Sequence, residues 1–147
     1  MKINTKYHGE IEVKSEDILT FEHGIPGFGE EKQFVLLPLP ENEWFHILQS
    51  VKTPQLGFVV TDPFVFFKGY DFELDQASVE SLGKPSGKDV QVLSILTVRE
   101  TLNESTANLQ APIILNLANR KGKQVILTNT VYQTKHLIFA QPAGKKR

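Results

Sequence analysis

Hydrophobic and polar residues alternate with a period of two along much of this chain, and in the aromatic stretch from Leu56 to Leu74 the alternation runs from Phe64 onward. Phe64, Phe66, Tyr70, Phe72 and Leu74 share one parity; Val65, Phe67, Asp71, Glu73 and Asp75 share the other. Successive strand side chains point to opposite faces, so this pattern predicts a strand with one apolar face and a comb of three acids on the other. Asp62-Pro63 interrupts the run, because proline has no N–H for a ladder and restricts the residue before it. A bend or bulge between two strands is expected there, with the aromatic face forming the main wall of the core.

The rest of the chain reads as short strands between turns. Lys2–Tyr7 and Glu10–Lys14 flank His8-Gly9, a hairpin link. Asp17–Phe21 enters the loop from Glu22 to Gly29, in which Pro26-Gly27 suits the central positions of a type II turn. Ile25 and Phe28 then project from it, either inward as a plug or outward as a contact. Gln33–Leu37 is an apolar strand stopped by Pro38 and Pro40, Glu41–Glu43 is a turn, and Trp44–Ser50 resumes as a strand. One short helix is expected after Asp75, with Ala77, Val79 and Leu82 as its apolar stripe and Gly83 at its end.

Asp89–Arg99 is β-branched, Glu100–Gln110 polar and irregular. Pro112–Leu117 and Gln124–Thr128 pair across Ala118–Lys123, and Thr130–Phe139 is a last strand. Together these predict a mostly β, small antiparallel barrel-like domain over residues 1–141 with one short helix, and a disordered basic tail over 142–147.

Composition narrows the chemistry. A chain of 147 residues is one domain and buries roughly two-thirds of its unfolded surface. With no cysteine, disulfides, thiolate catalysis and cysteine-ligated zinc are excluded. The absence of a signal-like apolar segment, or of any apolar run near ~18 residues, points to a soluble cytoplasmic protein. Residues 1–75 hold thirteen acids and six bases, a net of −7, while residues 76–147 carry a net of +6. That split either marks an acidic face for a basic partner or is intermixed by the fold; strand order decides.

No catalytic constellation emerges. His8, His23, His46 and His136 stand at no metal-ligand spacing, and Gly24-x-x-Gly27-x-Gly29 is followed by a strand pattern instead of the helix of a dinucleotide site. Asp62, ahead of a proline, is a turn-maker more than a general base. Alternate strand positions hold Asp71, Glu73 and Asp75 about 6–7 Å apart, too far to converge on one ion. They form either a solvated strand face or a contact surface for a basic partner. Aromatic stacking of single-stranded nucleic acid needs exposed rings beside positive charge, and here the neighbouring charges are acidic. The expectation is a binding protein without catalytic residues, metal or cofactor.

Four motifs extend this. Phe21-x-x-Gly24-Ile25-Pro26-Gly27-Phe28, then Phe45-His46-Ile47-Leu48-Gln49-Ser50, the Phe58–Pro63 segment, and Asn108-Leu109-Gln110-Ala111-Pro112-Ile113 together resemble the bacterial flagellar assembly factor family FliW. They occur in the family's order and span nearly the whole chain, with a departure at Gly29, where an acid is expected after Phe28. The resemblance implies a non-enzymatic, β-barrel-like regulator, monomeric when free, that binds two alternative clients. One is CsrA, a dimeric RNA-binding repressor of flagellin translation; the other is flagellin, whose export releases the factor to capture CsrA. The resemblance further implies antagonism without occupation of the RNA site.

The acids Asp71, Glu73 and Asp75 are then expected to meet a basic partner, and the turn carrying Ile25, Pro26 and Phe28 to supply an apolar anchor. A competing expectation is a small barrel that binds single-stranded RNA directly through Arg120, Lys121 and Lys123 in a hairpin turn.

Overall fold

The computed structural model describes residues 1–40, 42–100, 104–128 and 130–138. The strands are β1 (Lys2–Thr5), β2 (Gly9–Glu12), β3 (Leu19–Thr20), β4 (Gln33–Leu39), β5 (Asn42–Ser50), β6 (Gly57–Thr61), β7 (Val90–Thr97), β8 (Thr106–Ala107), β9 (Ile113–Asn116), β10 (Lys121–Gln124) and β11 (His136–Leu137). Two short helices, α1 (Pro63–Phe66) and α2 (Gln76–Ser81), lie between β6 and β7. The fold is mostly β, as the alternation predicts. The expected tail over 142–147 lies outside the described residues.

β1 and β2 form a separate hairpin, with Gly9 at positive φ (65°) after the turn. The other strands form one sheet in the order β11-β8-β7-β6-β5-β4-β3-β10-β9, and an additional β7–β9 pairing closes it partly into a ring. All neighbours are antiparallel except β3 and β10, which meet in parallel at Thr20 and Lys121. Inside lie Leu19, Phe21, Phe34, Leu48, Val60 and Leu93. On the outer face Val35 packs with Ile3 and Val13 under the β1–β2 hairpin. Both faces of β4 are therefore covered, which explains its continuous apolar run.

The strand expected from Phe64 to Leu74 is not formed. Pro63 instead opens α1, where its missing N–H costs nothing, and the Asp62 carboxylate accepts from the Phe64 amide at 2.9 Å. A local cap has outcompeted the bend. Alternation resumes only at Tyr70: Phe72 and Leu74 turn inward and Asp71, Glu73 and Asp75 outward, along an extended segment that belongs to no ladder.

Elsewhere the boundaries move. β4 runs through Pro38 to Leu39, with a register shift between them. Helix α2 follows Asp75 and ends near Gly83 (φ 81°) as expected, but it buries Ser78 and exposes Ala77.

The hairpin partner of β9 is Lys121–Gln124, not Gln124–Thr128. Residues 117–120 make the turn, with Arg120 at φ 59°. Gly122 explains the shift: a Cβ there would lie 2.5 Å from Phe21 Cζ, so a polar strand with one bare position fits against the core ring. Of the strand expected over Thr130–Phe139, only His136–Leu137 pairs, with β8, which itself lies in the stretch expected to be irregular; Phe139 is outside the described residues.

Candidate functional site

The turn after β3 splits its two apolar residues. Gly24 (φ 69°) lies so close to the far side of the loop that a Cβ would sit 2.7 Å from Phe28 O. Only glycine meets both the dihedral and the approach. The Phe28 amide donates to Ile25 O across Pro26-Gly27, and Gly27 has φ 88°, as a type II turn requires. Ile25 is 2% exposed and belongs to the interior cluster, whereas Phe28 is 41% exposed with its ring edge-on to Phe58 at 5.4 Å. Ile25 is the plug; Phe28 and Pro26 face out.

Glu31, just beyond, receives the hydroxyls of Ser50 and Thr53, the latter at 2.6 Å. These hydrogen bonds, Ser50's first, hold its carboxyl below the usual carboxylate range.

The three acids line one rim of an open groove of about 660 Å³, whose opposite wall is residues 125–128 and Thr130. Side chains, not a ladder, hold the acidic segment in place. Tyr70 is buried and donates to Leu109 O at 2.7 Å, and burial pushes its phenol well above the ordinary value. Tyr132 packs edge-on to Tyr70 at 4.7 Å; its oxygen accepts from the Asp71 amide at 3.0 Å and donates to Gly69 O at 3.3 Å. Phe72 and Leu74 pack on Val125, Leu127 and Leu82. The rim carboxylates stay in water. Asp75 accepts the Ser78 hydroxyl at 2.6 Å, which lowers its pKa, with Lys123 adding a smaller electrostatic contribution in the same direction.

The structure therefore brings Asp71, Glu73 and Asp75 to one groove and leaves the Ile25–Phe28 turn off it. Among the described residues, no three His, Asp or Glu side chains are grouped to hold a metal ion. No described helix is long and apolar enough to cross a membrane.

The basic residues of the β9–β10 hairpin are largely engaged. Arg120 Nη2 donates to Asp17 O at 3.1 Å, Lys121 Nζ lies 3.6 Å from Glu22, and Lys123 lies near Asp75. Two features escaped the sequence reading. The wall of residues 125–128 and Thr130 was expected inside a ladder; the alternation of Val125-Ile126-Leu127-Thr128 shows which side chains face in, but not which backbone edge stays open. Trp44, 54% exposed with its ring edge-on to Phe66 at 6.5 Å, carried no signal beyond its apolarity.

Known proteins resemble this chain over nearly all its length. The family model described as FliW protein matches residues 2–138. A flagellar assembly factor FliW of Geobacillus kaustophilus is 57% identical over 99% of this chain and 100% of its own. That of Bacillus subtilis is 53% identical over 94% of this chain and 96% of its own. A crystal structure of the flagellar assembly factor FliW superposes with a TM-score of 0.91 at 55% identity, covering 96% of this chain and 99% of that one.

Proposed function

Because the chain belongs to the FliW family of flagellar assembly factors, we propose that it works by occupancy: a non-catalytic cytoplasmic scaffold that binds either flagellin or the RNA-binding repressor CsrA. Capture of CsrA relieves its hold on flagellin mRNA, and free flagellin competes by filling the scaffold. The observation that carries this reading is the acid rim, three carboxylates in water on one side of a single groove. An RNA-binding protein presents a basic surface, which such a rim steers and orients. Held beside the RNA groove, the same carboxylates repel phosphates, so antagonism requires no overlap with the RNA site. The outward Phe28 supplies an apolar contact on a second face, available to either client.

Replacing Asp71, Glu73 and Asp75 together by Asn, Gln and Asn tests this. Titration calorimetry against CsrA at low and high salt is expected to show about tenfold or more weakening at low salt and a flatter salt dependence. Unchanged low-salt affinity removes the acids from the mechanism. Direct RNA binding is the competing reading. The engagement of Arg120 and Lys121 by protein oxygens and the closeness of Lys123 to Asp75 weigh against it, and a gel shift with single-stranded RNA and this protein alone separates the two.

A further inference from the structure

The backbone around the acid groove is as unusual as its charge. Along residues 124–128 the odd positions bond inward: the Val125 amide donates to Pro112 O at 2.9 Å and the Leu127 amide to Gln110 O at 2.8 Å. In an extended chain the intervening residues aim their N–H and C=O the other way. Among the described residues, the backbone groups of Ile126 and Thr128 have no hydrogen-bond partner, and neither do those of Phe72, Glu73 and Leu74 across the groove. Ile126, Thr128 and Glu73 are exposed, and Phe72 and Leu74 half-buried, so these backbone groups lie at the surface. Two extended segments, each with an open backbone edge, thus flank a trough floored by Phe72, Val125 and Leu127. Open edges of this kind are templates for another strand.

We propose that the groove takes an extended peptide segment of a partner as an added strand. Its main chain pairs with the Ile126–Thr128 edge, its apolar side chains rest on Phe72, Val125 and Leu127, and its lysines or arginines face Asp71, Glu73 and Asp75. The inference rests on reading the acid rim as a docking face and adds the manner of docking. Charge selects the occupant. A second copy paired edge to edge about a two-fold axis would set one acid rim against another, and like charges so placed repel. A basic, extended segment meets no such penalty.

The probe is a blocked ten-residue peptide of alternating lysine and valine, with a counterpart N-methylated at alternate residues. Fluorescence anisotropy is expected to show at least about tenfold weaker binding of the methylated peptide, because it lacks main-chain donors. Hydrogen exchange at Ile126 and Thr128 is expected to slow about tenfold or more when the unmodified peptide binds. Ile126→Pro removes an edge N–H that bonds to nothing, so binding should fall while Tm stays near wild type; if that variant does not fold, the methylated peptide reads the companion bonds, from peptide N–H to the edge carbonyls.

Equal affinity of the two peptides, or unchanged exchange at Ile126 and Thr128, overturns strand addition. So does a concentration-dependent dimer that protects those same amides. The charge-neutralised variant separates the two levels. If it loses the protein client while methylation has no effect, docking at the rim stands and strand addition falls. If methylation abolishes peptide binding while the client ignores the charge change, strand addition stands and the rim's role in client capture falls.

Discussion

Ile25 and Phe28 sit three residues apart in one turn, and truncating each to alanine should have opposite consequences. Ile25 is fully enclosed with Leu19, Phe21 and Phe34. Its removal deletes buried methyl groups and leaves a void that the ring of strands cannot collapse into, a loss of about 3 kcal/mol within the ~2–5 range for such changes. For a chain of this size that lowers Tm by roughly 6–12 °C.

Phe28 is already 41% exposed. Its truncation forfeits partial burial and the edge-on contact with Phe58, together about 1–2 kcal/mol, or roughly 2–8 °C. No cavity forms, because water fills the space.

Urea unfolding followed by circular dichroism gives the stability order, and calorimetry against CsrA and flagellin gives the functional one. Ile25→Ala is expected to be the less stable variant yet bind normally at a temperature where it remains folded. Phe28→Ala is expected to be the more stable of the two variants yet bind one client about tenfold more weakly, as the loss of an aromatic anchor does. A stability loss at Phe28 equal to that at Ile25 would place its ring in the core and end its candidacy as an anchor. Normal binding by Phe28→Ala to both clients would do the same.

Two further expectations concern the scaffold. Gln49 is buried; its Nε2 lies 3.0–3.1 Å from the carbonyls of Ser50, Pro54 and Leu56, and its Oε1 accepts from the Lys6 amide at 3.0 Å. Gln49→Leu keeps the volume but takes away the partner of the Lys6 amide and of Pro54 O, so a loss of about 2–3 kcal/mol is expected, with faster hydrogen exchange at Lys6 as the β1–β2 hairpin loosens. An unchanged Lys6 rate would show that apolar packing alone holds the hairpin. Glu31 has a folded-state pKa below its ordinary 4.5, so its contribution is present above that value and lost as pH falls through the lowered one. Glu31→Gln should therefore flatten the fall in urea midpoint from pH 5 downward; parallel curves for the two proteins would contradict it.

Local chemistry was legible wherever a residue's behaviour depends on its near neighbours. Pro26-Gly27 reads directly as a type II turn because the dihedrals of those two residues admit little else, and Gly83 ends α2 for the same reason, while Asp75 stands at its start but accepts the Ser78 hydroxyl instead of a backbone amide. The alternation from Tyr70 to Asp75 correctly assigns its inward and outward side chains, since any extended backbone sends them to opposite sides. The same reasoning failed at Phe64–Phe67. There the capping of the Phe64 amide by Asp62, a contact two residues long, decided for a helical turn over a strand that the aromatic pattern favours equally.

Fold class, turn chemistry, the sidedness of the acids and, through four motifs in order, the family were all legible in the residues alone. Tertiary structure alone decided which strand backbones find partners. Periodicity records where side chains point, perpendicular to the sheet, and says nothing of the hydrogen-bonding direction within it. Hence the sequence cannot show that the 71–75 and 125–128 segments face one another unpaired, nor that Phe21 reserves the bare face of Gly122 and so pulls β10 toward the turn. Those outcomes depend on residues fifty and a hundred positions apart meeting in a sheet that closes partly on itself.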